Sequence, residues 1–125
     1  MQAQPFSRPR RTGNVERFAW LFTRISAVVL LGMALYHLLY MHVAMGMDTI
    51  SFQLIAWRWR FLGWRVFDLV LLVFGWLHGA NGMRVVLDDY VHSPFARTVA
   101  RTLLLIITAT LVLMGTFVVV TFKPS

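Results

Sequence analysis

Three long apolar stretches separated by short polar breaks dominate the chain. Ile25 to Met47 carries no formal charge over 23 residues. Trp64 to Leu87 is apolar apart from Arg65 and Asp68 near its start and Arg84 near its end, and Thr102 to Phe122 is again charge-free. A hydrocarbon core of about 30 Å needs about 20 helical residues, so each stretch can span a bilayer. Inside lipid every backbone N–H and C=O must be paired within its own segment, which makes each stretch a helix. The third is rich in β-branched residues (Ile106, Ile107, Thr108, Val118, Val119, Val120) and would favour a strand in water, but its length and lack of alternation overrule that. The pattern predicts an all-α membrane protein with three transmembrane helices at about 24–47, 64–88 and 101–122. They form a domain over 25–122 behind a basic tail at 1–24, with an interfacial loop at 48–63. The first run is too long for the core of a secretory leader, follows 24 polar and basic residues, and is not followed by a small-x-small cleavage site. It is expected to be retained.

Composition narrows the chemistry. The chain of 125 residues is 58% hydrophobic and 14% charged, too little charge for a small soluble domain that exposes most of its surface. It has no cysteine, which excludes disulfides and thiolate metal sites and leaves His, Met, Tyr or carboxylate to hold any cofactor. The net charge of +7 is distributed as a topology signal rather than as a nucleic-acid surface. Arg8, Arg10, Arg11, Arg17 and Arg24 crowd the first 24 residues, and Arg84, Arg97 and Arg101 flank the break between the second and third stretches. A three-pass chain puts these two regions on one side, expected to be the cytoplasm. The opposite loop holds Arg58 and Arg60, with Arg65 just beyond, which weakens the bias without reversing it. Trp57, Trp59, Phe61 and Trp64 alternate with these cations, as expected for a short helix or loop lying at headgroup depth.

Ionisable groups inside apolar spans are candidates for function, because leaving one unpaired there is costly. His78 lies roughly 20 Å past Arg65 and about 15 Å before Asp88 at ~1.5 Å per residue, within the membrane interior. Gly75 and Gly82, at i−3 and i+4, share its face, with Gly79 adjacent. Small residues there admit something flat against the helix, such as a porphyrin. They equally allow close helix–helix packing, with His78 bonded to a neighbouring carbonyl. His37, on the first helix, has the same two readings. His42 is about 140° further round at ~100° per residue, so it cannot share a haem with His37. It sits nearer the outer interface, where a histidine reaches water. Imidazole suits iron, and a low-spin haem needs two axial ligands. Rise arithmetic leaves His37 and His78 about 5 Å apart in depth, so two arrangements stay open: both clasp one haem, or each ligates a different haem with a partner histidine from another subunit. Asp89, eleven residues after His78, projects from nearly the same face, and Tyr90 follows. A Tyr hydroxyl beside a carboxylate at the water edge suits a quinone carbonyl and its proton supply. The alternative is an ordinary aromatic belt and a helix-end aspartate.

The run from His78 through Gly82-Met83 to Asp88-Asp89-Tyr90 resembles the signature of the SdhD-type cytochrome b anchor of succinate dehydrogenase (succinate:quinone oxidoreductase). In that signature the Asp stands 11 and the Tyr 12 residues after the His, as Asp89 and Tyr90 do here. Trp20-Leu21-Phe22-Thr23-Arg24-Ile25-Ser26 is similar to the family's entry into its first helix. The resemblance implies a helical bundle shared with a second membrane anchor subunit, alongside a flavoprotein subunit and an iron–sulfur subunit, in a bacterial or archaeal plasma membrane with the N-terminus cytoplasmic. It implies His78 as an axial ligand of haem b, Arg24 as partner of a haem propionate, Tyr90 as donor to a quinone carbonyl and Asp89 as its neighbour in proton delivery. His37 departs from single-haem members and is similar to the first-helix histidine of two-haem members, which implies a second, outer haem ligated by His37. This chain has no flavin or cluster motif, so any succinate oxidation belongs to the soluble subunits. The competing expectations are a quinol:fumarate reductase anchor and a haem-free helical anchor or assembly protein.

Overall fold

The computed structural model describes residues 13–46, 48 and 50–123; Arg8, Arg10, Arg11 and Met47 lie outside the described residues. The order is α1 (Asn14–Leu38), continued by a π-helical segment Leu39–Ala44, then α2 (Phe52–Arg58), α3 (Leu62–Tyr90) and α4 (Pro94–Thr121). Three helices are long and apolar enough to cross a membrane: Asn14–Ala44, Leu62–Tyr90 and Pro94–Thr121. The all-α, three-span expectation therefore stands.

The helix ends differ from the apolar ends. α1 begins eleven residues before the apolar run, and Arg17 and Arg24 are inside it. At ~1.5 Å per residue a 31-residue span is about 46 Å long, more than the hydrocarbon core. Its first turns therefore carry charge without breaking. Arg24 lays its guanidinium over the Trp20 ring, 4.7 Å from the centroid, one turn back along the helix. The turn after the π-helical segment contains Gly46, whose φ of 80° lies in the left-handed region that glycine adopts freely. α2 is the expected short helix of the 48–63 loop, opened by the Ser51 hydroxyl accepting from the Leu54 N–H. α4 opens on Ser93, which accepts from the Ala96 N–H, with Pro94 in its first turn.

α3 is the middle helix, packed against both α1 and α4. Gly115 lets α4 approach: a Cβ there would stand 2.5 Å from the Leu72 side chain. Polar contacts close both ends of the bundle. At the α3–α4 turn, Asp88 accepts from Arg101 Nε at 2.7 Å, and Arg97 donates to the Val91 carbonyl. At the α2 end, Arg65 donates to the Trp59 carbonyl at 2.7 Å and to the Phe122 carbonyl at 2.6 Å, tying α2, α3 and the end of α4 together.

Among the described apolar residues only Met41 and Val119 are buried, and α3 buries none of its residues in spite of its central place. A three-helix chain with so little interior of its own depends on lipid and neighbouring chains to cover its faces.

Candidate functional site

His78 stands where α3 meets α1. Its Nδ1 lies 2.8 Å from the hydroxyl of Ser26, a residue only 1% exposed. Among the described residues this is the ring's only hydrogen bond. The glycines beside it remain open: a Cβ at Gly75, Gly79 or Gly82 would meet nothing within 4 Å. Small residues on that face thus serve no helix–helix contact within this chain. Further round α3, on its α4 side, Gly75 and Gly79 border an apolar groove of about 510 Å³ with Leu71, Trp76, Met83 and Leu104; His78 is not among its lining residues. That volume falls within the ~300–1,000 Å³ of ordinary ligand clefts. His78 therefore has a fixed side against α1 and a free side beside an open apolar face. A planar apolar group with one coordination position to fill fits those residues.

Toward the end carrying Glu16 a polar seam joins α1 to α3. Asn81 Nδ2 donates to Thr23 Oγ1 at 2.5 Å, and Thr23 Oγ1 donates to the Ala19 carbonyl at 2.8 Å. Arg84 donates to Asn81 Oδ1 and pairs with Glu16 at 3.6 Å. Arg24 borders the same recess of about 320 Å³ with Glu16, Thr23, Asn81 and Arg84. Arg84 is engaged by Glu16, but Arg24, which has no carboxylate partner among the described residues, suits a carboxylate at the edge of a group bound against the glycine face.

His37 lies elsewhere. Its Nδ1 is 3.8 Å from Asp68 Oδ1, is buried, and has no hydrogen-bond partner, while its ring stacks at 8° on Phe67. Asp68 precedes His78 by ten residues on α3, and His37 follows Ser26 by eleven on α1. The two histidines are thus separated by about 15 Å of helix. The 5 Å depth difference is corrected: it took Arg24 and Arg65 as opposite membrane edges, whereas Arg24 sits nearly level with His78. They are at different levels of the bundle and cannot face one iron. His42, in the π-helical segment, is exposed.

Sequence reasoning missed the cluster around Asp68. Arg58, 2% exposed, pairs with Asp68 at 3.3 Å, donates to Met41 Sδ at 3.0 Å and lies over the Trp64 ring at 4.4 Å. Trp59 Nε1 donates to Asp68 Oδ2 at 2.8 Å. Arg58 and Trp59 belong to the loop expected at headgroup depth, and both turn toward Asp68, Arg58 as its counter-charge and Trp59 as an N–H donor. Trp57 of the same helix stays 46% exposed. Ser26, Thr23 and Asn81 were also missed as site residues.

Asp89 and Tyr90 end α3, both exposed, with Tyr90 at 77%. Asp88, not Asp89, carries the contact to α4. An exposed hydroxyl at the rim has room for a partner subunit or a substrate.

The model of the family described as the succinate dehydrogenase/fumarate reductase transmembrane subunit matches residues 2–117. The chain belongs to that family. It is a multi-pass membrane subunit of a succinate dehydrogenase or fumarate reductase complex, and its enzymatic role exists at the level of that complex. No curated protein matches this subunit.

Proposed function

We propose that this subunit anchors a succinate:quinone oxidoreductase in the membrane, presents His78 as one axial ligand to a b-type haem, and contributes Tyr90 and Asp89 to a quinone site. The observation that carries the haem assignment is the His78 ring itself, bonded to α1 through Nδ1 and otherwise unengaged beside three glycines that leave its outer side open. Arg24, on the recess toward the Glu16 end, is the proposed partner of a propionate. His37 is the proposed axial ligand of a second, outer haem. Its level beside Asp68, well away from His78, supports separate sites over a shared one. In each case the second axial histidine comes from a second anchor subunit, since the two histidines here do not meet.

Bound haem supplies reversible one-electron transfer. The chain's own residues hold the ligand rings, keep the glycine face clear and exclude water with apolar side chains. At the rim, the exposed Tyr90 hydroxyl donates to a quinone carbonyl, and the Asp89 carboxylate supplies a proton from the aqueous side, proposed as the cytoplasm. The flavoprotein and iron–sulfur subunits dock at that end and perform the succinate chemistry.

The test is a reduced-minus-oxidised spectrum of the purified complex. His78→Ala is expected to remove or shift the b-type α band and lower haem per complex. An unchanged band removes His78 from the ligand set. A wild-type complex with no haem band leaves only a haem-free anchor.

A further inference from the structure

The Ser26 hydroxyl of α1 lies within reach of two partners, the Thr23 carbonyl and His78 Nδ1. A serine hydroxyl has one proton and two lone pairs. Within a helix that proton commonly goes back to a carbonyl of the preceding turn, and Ser26 Oγ lies 3.3 Å from the Thr23 carbonyl of α1. What Oγ turns toward His78 Nδ1, 2.8 Å away, is then a lone pair. A ring that ligates through Nε2 carries its proton on Nδ1, and that lone pair is what receives it. Nε2 is left bare, as metal ligation requires.

From this we infer that Ser26 is the positioning residue for His78: it selects the Nδ1–H tautomer, fixes the ring plane and raises the donor strength of Nε2. The inference rests on the haem reading above. Burial makes the device effective, because Ser26 is 1% exposed and water cannot replace it. The neighbouring seam holds the register. Asn81 donates to Thr23 Oγ1, one turn toward the Glu16 end, keeping α1 and α3 aligned so that Ser26 stays opposite His78. That bond joins the same two helices without touching the ring, which gives a control.

In the assembled complex, Ser26→Ala is expected to lower haem affinity by about 10–100-fold, the usual cost of losing an outer partner of a ligating histidine. It is also expected to raise the haem midpoint potential, because a less basic imidazole stabilises oxidised iron less, and to shift the low-spin EPR signal as the ring plane is freed. Ser26→Cys fills nearly the same volume with a weaker acceptor and gives smaller shifts in the same directions; it carries the test should the alanine variant not assemble. Thr23→Ala loosens the helix pair but keeps the Ser26 hydroxyl, and gives shifts in potential and EPR signal smaller than those of Ser26→Ala. The inference is overturned by wild-type potential and EPR in the Ser26 variants, or by equal shifts in Thr23→Ala. Those results leave His78 ligation intact, whereas failure of the haem reading itself shows as an unpigmented wild-type complex or as pigment unchanged in His78→Ala.

Discussion

Each of the two half-buried histidines has one nitrogen facing a polar group on the neighbouring helix, but the engagement differs. His78 has a hydroxyl at hydrogen-bonding distance, whereas His37 has a carboxylate at 3.8 Å and no bond. A ring beside a carboxylate at that distance is easily drawn into a direct bond when its other nitrogen is engaged, because a ligating imidazole carries its proton on the remote nitrogen and donates it. His37→Ala is therefore expected to remove the outer haem only: pyridine haemochrome quantification should fall from two haems per complex to one, with the His78-dependent band retained. No change in haem per complex would eliminate the outer site. The residue types on α1 and α3 were legible as candidates along the chain. Their partners were not, since Ser26 and His78 are 52 positions apart and nothing in a one-dimensional pattern pairs them.

Among the elements, α2 is held by a buried charge pair together with the Phe52 and Trp59 rings set edge-on to Phe122. Arg58 leaves the loop and enters the bundle to meet Asp68, with Met41, Trp59 and Trp64 around it. Removing one member of a buried pair strands the other's charge at a cost of about 3–5 kcal/mol, whereas replacing both with apolar residues of similar size is near neutral. Arg58→Met alone should lower the thermal stability of the detergent-solubilised complex by an amount in that range. Arg58→Met with Asp68→Leu should recover most of it, as read in a double-mutant cycle of thermal unfolding. Additive losses would show that the pair carries no coupling. The same pairing reinterprets the loop's charges: Arg58 bonds Asp68 and Arg65 bonds backbone carbonyls, so neither is a free cation at the outer interface.

For the whole molecule, α1 and α4 flank α3, the Glu16–Arg84 and Asp88–Arg101 contacts lie at one end, and α2 lies at the other. The proposed orientation sets the first end in the cytoplasm. Because the chain has no cysteine, single probes report cleanly. Cysteines at Asn14 and His92 should be labelled by an impermeant maleimide only from the cytoplasmic side, and one at Phe52 only from the outside. The reverse pattern would invert the orientation and move Tyr90 away from the cytoplasm.

What the chain determined unaided is its class. Three apolar runs of span length admit only helices in lipid, and an absence of cysteine confines cofactor binding to a few residue types. It also marked His78 among glycines, because a titratable group in an apolar run is visible without coordinates. Helix ends were less visible, since α1 carries Arg17 and Arg24 within its helical turns instead of stopping at them. Only tertiary structure decided which groups meet: Ser26 with His78, Arg58 with Asp68, and His37 at a level of its own. Those pairings depend on how three helices are set against one another in depth and rotation, and a slide of one helical turn, about 5.4 Å, would exchange every partner while leaving the hydrophobic pattern unaltered.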